Sequence, residues 1–112
     1  MSTLLSPDEK RFIADGSDPQ FRTYDLCLYD VSKGNPQRFT FNSASDFFPV
    51  WAPNGNSVVW SSNREGGIFN LYQKAASFAG EETLLLNSDY IKVPTDWSRD
   101  GRIRWAMAGL RL

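Results

Sequence analysis

Four carboxylates, Asp15, Asp18, Asp25 and Asp30, crowd the first third of the chain. Converging oxygen ligands of this type hold calcium. Their spacing matches no calcium loop, and such acids more often cap turns or face water, so no metal site is assigned. Cys27 is the lone cysteine. It sits between Leu26 and Leu28 and can form no intrachain disulfide. A thiol in an apolar run is expected to be a small buried hydrophobe rather than a nucleophile. The sequence contains no histidine, which removes Ser-His-Asp and Cys-His activation and every histidine-containing metal site. It also lacks a Gly-x-Ser-x-Gly elbow and a Gly-x-x-x-x-Gly-Lys phosphate loop. No catalytic, cofactor-binding or metal-binding residue is assigned, and the chain reads as a non-enzyme.

Three further groups invite a binding role. Trp51, Trp60, Trp97 and Trp105 have the surface to stack on a ligand. Arg64, Arg99 and Arg102 lie in or beside turns, where they would line a rim or simply face solvent. Glu81 and Glu82 read as a solvated pair in a loop. The tryptophans settle into a pattern once the chain is read for repeats: Trp51 and Trp97 are 46 residues apart, and Trp60 and Trp105 are 45 apart. Equivalent positions in a repeat are expected to pack between neighbouring units.

The strongest signal is a turn that recurs at the same step of 46 residues. It appears as Ser6-Pro7-Asp8-Glu9, as Ala52-Pro53-Asn54-Gly55 and as Ser98-Arg99-Asp100-Gly101. In the second copy, Pro53 presets φ, Asn54 suits the next position, and Gly55 takes the left-handed conformation. Gly34 and Gly80 keep the same step, as do Phe39 and Leu85, while Asp25-Leu26 and Asn70-Leu71 are 45 apart.

Each unit reads as four short strands. In the second these are 49–51, 57–61, 68–74 and 83–86, separated by the Pro53 turn, a hairpin over 63–67 and a small-residue loop over 75–82. The first unit repeats the plan with 11–14, 25–31 and 37–41. The third supplies Trp97, its turn and Ile103-Arg104-Trp105. β-Branched and aromatic residues fill these runs, and no window of a dozen residues keeps a helical apolar stripe free of Gly and Pro.

A period of this size with several strands per unit predicts an all-β fold: a partial β-propeller of about two and a half four-stranded antiparallel blades. It forms one domain over 1–112, with units of about 5–50 and 51–96 and an incomplete one over 97–112. The repeat positions singled out as structural are Pro7, Asp8, Trp51, Pro53, Asn54, Gly55, Trp97, Asp100 and Gly101.

These residues resemble the WD40-like propeller repeat of the TolB type, whose mark is a Trp-Ser-Pro-Asp-Gly turn followed by a strand and then an Asp-Leu-Tyr-like strand. The matching pieces are Leu5-Ser6-Pro7-Asp8, Trp51-Ala52-Pro53-Asn54-Gly55 and Trp97-Ser98-Arg99-Asp100-Gly101, with Asp25-Leu26-Cys27-Leu28-Tyr29 and Asn70-Leu71-Tyr72 as third strands. A narrower likeness runs through Arg38-Phe39-Thr40-Phe41, Asp46-Phe47-Phe48-Pro49-Val50-Trp51, Ser61-Ser62-Asn63-Arg64, Asn70-Leu71-Tyr72-Gln73-Lys74-Ala75 and Val93-Pro94-Thr95-Asp96-Trp97-Ser98. These are similar to the C-terminal sensor propeller of bacterial receptor-type serine/threonine protein kinases, of the kind abundant in acidobacteria. That resemblance implies a propeller with a binding role. It implies no phosphoryl transfer, because the Gly-rich loop, Val-Ala-Ile-Lys, His-Arg-Asp and Asp-Phe-Gly motifs are missing. The chain departs from the repeat where Glu9 stands in place of Gly, where Arg99 replaces Pro, and where the third unit stops early.

Composition bounds the partners. The net charge is −1, from 12 basic and 13 acidic residues, so charge alone draws the chain to neither nucleic acid nor an anionic membrane. No apolar run reaches a membrane-spanning length. The first dozen residues lack a signal-peptide pattern, so the expected compartment is the one of synthesis, or outside the membrane if a receptor-type parent carries the chain. A protein or small-molecule partner is expected, its identity open. Two and a half blades cannot close a ring, which leaves two readings: a piece of a larger sensor or kinase-linked protein, or a self-assembling ring, with three copies giving about seven units. A propeller detached from a prolyl-oligopeptidase-type serine peptidase is the alternative origin.

Overall fold

The computed structural model describes residues 3–18, 23–34, 36–41, 44–65, 68–86, 92–97 and 103–107. Every described element is a strand. The first sheet runs β1 (Thr3–Leu5), β2 (Arg11–Asp18), β3 (Thr23–Asp30) and β4 (Pro36–Arg38), in that spatial order. The second runs β5 (Asp46–Trp51), β6 (Ser57–Glu65), β7 (Ile68–Ala75) and β8 (Thr83–Leu86). A pair follows, β9 (Lys92–Trp97) and β10 (Ile103–Met107). All pairings are antiparallel.

The registers carry the repeat. Leu5 faces Phe12, Trp51 faces Val58 and Trp97 faces Ile103. Gly16 pairs with Asp25 as Ser62 pairs with Asn70, and Asp15 pairs with Leu26 as Ser61 pairs with Leu71. The step of 45 on the third strands is therefore a true structural equivalence. Several strands run further than the sequence suggests: β2 extends to Asp18, β5 starts at Asp46, and β6 reaches Glu65. Antiparallel pairing continues as long as the backbone finds partners, even through polar residues such as Ser61, Ser62 and Asn63. The outer strand β4 is shorter than expected, ending at Arg38. There Phe39 and Thr40 both donate backbone bonds to the Leu26 carbonyl, at 2.8 and 3.3 Å, and the ladder stops.

The sheets stack through side chains that strand alternation sends to one face. Ile13, Leu26, Leu28 and Phe39 of the first sheet meet Trp51, Val58, Trp60, Tyr72 and Ala76 of the second in one buried cluster. Each large apolar side chain fully buried there stabilises the fold by about 1.5–3 kcal/mol. Phe39 meets Trp60 and Phe78 edge-on, with ring centroids 5.9 and 5.3 Å apart. On its other face the second sheet presents Val50, Val59 and Leu71, and β9 packs against β5, β6 and β7. Both faces of β6 are thus covered, which explains its unbroken Val58-Val59-Trp60 run.

Polar bonds also tie the two sheets together. Trp51 Nε1 donates to the Leu4 carbonyl at 3.0 Å, and Lys74 Nζ to the Phe39 carbonyl at 2.8 Å. Lys74 is almost buried, with its ammonium 4.9–5.3 Å from the rings of Phe39, Phe41 and Phe78.

Glu9 adopts φ +61° and its repeat partner Gly55 adopts φ +74°, so the first turn keeps the left-handed geometry despite its side chain. That conformation costs a non-glycine residue about 1–2 kcal/mol. Glu9→Gly is accordingly expected to raise the unfolding free energy by about 1 kcal/mol in urea titrations, and Gly55→Ala to lower it by about as much.

Candidate functional site

The Pro7 and Pro53 turns lie at one end of the stacked sheets, side by side: a methyl group placed on Gly55 would stand 3.7 Å from Pro7 Cδ. Both turns close identically. Glu9 N donates to the Ser6 carbonyl and Gly55 N to the Ala52 carbonyl, each at 2.9 Å. The side chain at the third turn position accepts the amide two residues on, Asp8 Oδ1 from Lys10 N at 3.0 Å and Asn54 Oδ1 from Asn56 N at 2.9 Å. Such local bonds are why Asp and Asn favour these positions.

Arg11 sits where the two units meet at this end. Its Nη1 donates to the Ala76 carbonyl at 3.1 Å, and its guanidinium lies 5.5 Å from the centre of the Trp51 ring. It borders two hollows. One, of about 550 Å³, is lined also by Asn56, Ser57 and Ser77; the other, of about 360 Å³, by Tyr29, Lys33, Gln37 and the carboxylate of Asp30, which disfavours an anion there. Guanidinium, ammonium, hydroxyl and amide groups here offer donors to an oxygen-rich ligand.

Asp8 and Asp30 are held below the usual carboxylate range. For Asp8 the Ser6 hydroxyl acts first and the Lys10 amide second; for Asp30 it is the Ser32 hydroxyl, then the Lys33 amide. A depressed folded-state value means that the unfolded chain binds protons first. The stabilisation is present above about pH 4 and lost as pH falls through the folded values. The unfolding midpoint should drop across that window, and the slope should flatten in Asp8→Asn combined with Asp30→Asn, since Asn54 already fills this role in the second turn.

The other sequence-selected residues are dispersed. Trp51 and Trp60 are core residues, 7% and 0% exposed. Trp97 ends β9 opposite Ile103, and Trp105 pairs with Pro94. Arg99, Asp100, Gly101 and Arg102 lie outside the described residues. Of the four clustered carboxylates, Asp18 ends β2 opposite Thr23, Asp15 accepts from Phe48 N at 3.3 Å, Asp25 faces Arg38 at 3.4 Å and Asp30 caps its turn. Among the described residues no three acidic or cysteine side chains converge. Cys27 is partly rather than fully buried, because it lies on the face of the first sheet turned away from the second. Partial burial, then Asp25, still push its thiol up.

Two expectations are overturned. Arg64 is not an exposed rim residue. Its side chain is 18% exposed, with Nη2 2.6 Å from Glu82 Oε1 and 3.5 Å from Asp46 Oδ1, and its guanidinium is 4.1 Å from the Tyr72 ring centre. Glu82 is not a solvated loop charge, since it also accepts from Phe41 N at 3.1 Å. Asp46, fully buried, takes the Trp60 indole N–H at 3.2 Å. The longer β6 carries Arg64 back over the sheet, and no repeat-based signal marks it.

Four-stranded antiparallel sheets stacked by a 46-residue repeat, with no helix among the described residues, define a partial β-propeller. Solved propellers agree. A TolB from Agrobacterium tumefaciens, described as putative, superposes with a TM-score of 0.74 at 21% identity, covering 86% of this chain and 35% of its own. TolB from Acinetobacter baumannii gives 0.73 at 20%, covering 90% and 24%. Among curated proteins, an uncharacterized peptidase, YuxL, of Bacillus subtilis (strain 168) is 24% identical over 90% of this chain, and the match spans 18% of the peptidase. No family model matches the sequence. The chain thus has a TolB-like propeller fold and spans about a third or less of each of these proteins.

Proposed function

We propose that the chain is a non-catalytic binding or scaffold module, part of a larger sensor or kinase-linked protein, with the Arg11 end as its contact face. The observation that carries this reading is the arginine clamped between two units and bordering the hollow lined by Asn56, Ser57 and Ser77. Propellers place partners at loop-rich faces. The test is a titration of the ¹⁵N-labelled chain with a capped tripeptide bearing a free C-terminal carboxylate. Saturable shifts at Arg11, Asn56 and Ser57 that vanish in Arg11→Ala are expected, and their absence would retire the reading.

The face of the first sheet turned away from the second carries the stacked pair Phe12–Tyr29, with centroids 4.6 Å apart, and Leu5 at 50% exposure. In the second sheet the equivalent face is covered by the first, so a further sheet of the same repeat fits here. A longer parent polypeptide is the favoured source and a ring of three copies the other. Light scattering separates them: a compact particle of three times 12.7 kDa supports the ring, and a monomer favours the longer parent. The likeness to YuxL favours one second reading, the propeller portion of a peptidase. Peptide-bond cleavage by the chain alone would overturn the non-catalytic assignment.

A further inference from the structure

Phe48 is held in a backbone conformation that both its own side chain and its sequence neighbour oppose. It takes φ +55°, a left-handed value that strains a bulky residue. Pro49 follows, and a residue before proline is pressed toward extended backbone of negative φ. What holds Phe48 comes from the other sheet. The Asp15 carboxylate of β2, 2% exposed, accepts the Phe48 amide at 3.3 Å. Adjoining residues bridge the same seam. Tyr24 N of β3 donates to Ser45 Oγ at 3.5 Å, and the rings of Tyr24 and Phe47 lie 4.7 Å apart between centroids.

The repeat supplies an internal control. Phe48 is 46 residues before Pro94, and Asp15 is 46 before Ser61. Both units bulge at this place. In the second, Phe48 and Pro49 lie between the pairs Phe47–Ser61 and Val50–Val59. In the third, the register slips between the pairs Asp96–Arg104 and Pro94–Trp105. A proline ring fixes φ at about −65° and leaves no amide N–H to donate. The third unit therefore forms its bulge without a left-handed residue, and the bulge alone does not demand φ +55° at Phe48. The left-handed state occurs where the pair is a carboxylate and an amide, and not where the equivalent pair is Ser61 and Pro94.

We propose that the Asp15–Phe48 hydrogen bond is a latch between the two sheets. With the first sheet docked, the carboxylate pins Phe48 in its left-handed state. When the seam loosens there, Phe48 relaxes to the negative φ that its third-unit equivalent keeps. The output is the surface at this place. Phe48 and Tyr24 are 45% and 39% exposed, and the Phe47 ring lies 5.8 Å from Phe48 and 5.7 Å from Phe69 of β7. Rotation of the Phe48 backbone re-aims its ring relative to the other three, so the arrangement of the exposed rings follows the stacking of the sheets. The latch stands whatever the Arg11 end binds.

The test uses the full chain labelled with ¹⁵N and ¹³C. A positive φ brings the amide and α protons of one residue close, so Phe48 should give a strong intraresidue NOE between them. Asp15→Asn, whose side-chain oxygen still accepts the amide, should keep it. Asp15→Ala should lose it while the chain stays folded, and the Tyr24 and Phe47 ring resonances should shift. In urea titrations Asp15→Ala should lower the midpoint less in the parent than in Phe48→Gly, because relaxation returns strain at phenylalanine and glycine has none to return. Phe48→Pro, which installs the third unit's residue, should fold with the near-ultraviolet signal of the tryptophans retained. A strong Phe48 NOE that survives in Asp15→Ala, its loss in Asp15→Asn, equal midpoint losses in the two backgrounds, or unfolding of both Asp15→Ala and Phe48→Pro would each overturn the proposal.

Discussion

Trp60→Ala should cost about 3–5 kcal/mol of folding free energy, the largest effect of any single truncation considered for this chain. Among the described residues Trp60 is the biggest fully buried side chain, 0% exposed. It joins the units through Phe39, edge-on at 5.9 Å, and stacks toward Tyr72 at 6.5 Å. Alanine would leave a cavity in the inter-sheet cluster that both sheets must collapse to fill. It would also strip Asp46 of the indole N–H at 3.2 Å, leaving that oxygen to the more distant Arg64 guanidinium at 3.5 Å. Domains of this size hold only about 5–15 kcal/mol in reserve. Far-UV circular dichroism in urea should therefore show a midpoint lowered by a third or more of its value. Trp60→Phe keeps most of the volume and loses the N–H, so it should fall between the two. A Trp60→Ala midpoint within experimental error of the parent's would refute the inter-unit core as the main source of stability.

Trp60 was legible in the sequence because its surroundings repeat. The step that places Trp105 45 residues further on fixes both as second-strand residues, and the Pro53-Asn54-Gly55 turn sets the register that brings Trp51 opposite Val58. Turn chemistry acts over four residues, and strand alternation over two, so both are written locally. Even the strained Glu9 could be foreseen, from the glycine its repeat partners carry. What the sequence hides is contact made once and at long range. Phe48 looks like any strand aromatic, yet it takes φ +55° at a slip in the β5–β6 register, where its amide meets Asp15, 33 residues earlier. Arg64 and Glu82 read as separate loop charges because strand length, which follows from backbone pairing with β7, decides whether β6 carries Arg64 over the sheet.

That hidden group supplies the second large effect. Arg64→Met should cost about 2–4 kcal/mol, because removing one member of a buried ion pair leaves the other desolvated and unpaid by a partner. Asp46 is fully buried, while Glu82 and Arg64 keep 13% and 18% of their side-chain surface, so water softens the loss at Glu82 more than at Asp46. Methionine retains much of the packing over Tyr72, where the guanidinium now sits at 4.1 Å. Arg64→Ala, which forfeits that contact too, should lose about 1 kcal/mol more. The decisive comparison adds Asp46→Asn and Glu82→Gln to Arg64→Met. If desolvated charge is the cause, the triple variant recovers part of the stability lost by the single one, since the buried carboxylates go with their partner. If Arg64 stabilises by packing alone, the triple variant is no better than Arg64→Met in urea titrations. The Trp60–Asp46 bond gives an internal control: an asparagine oxygen still accepts the indole N–H, so near-ultraviolet circular dichroism of the tryptophans should be retained in the triple variant.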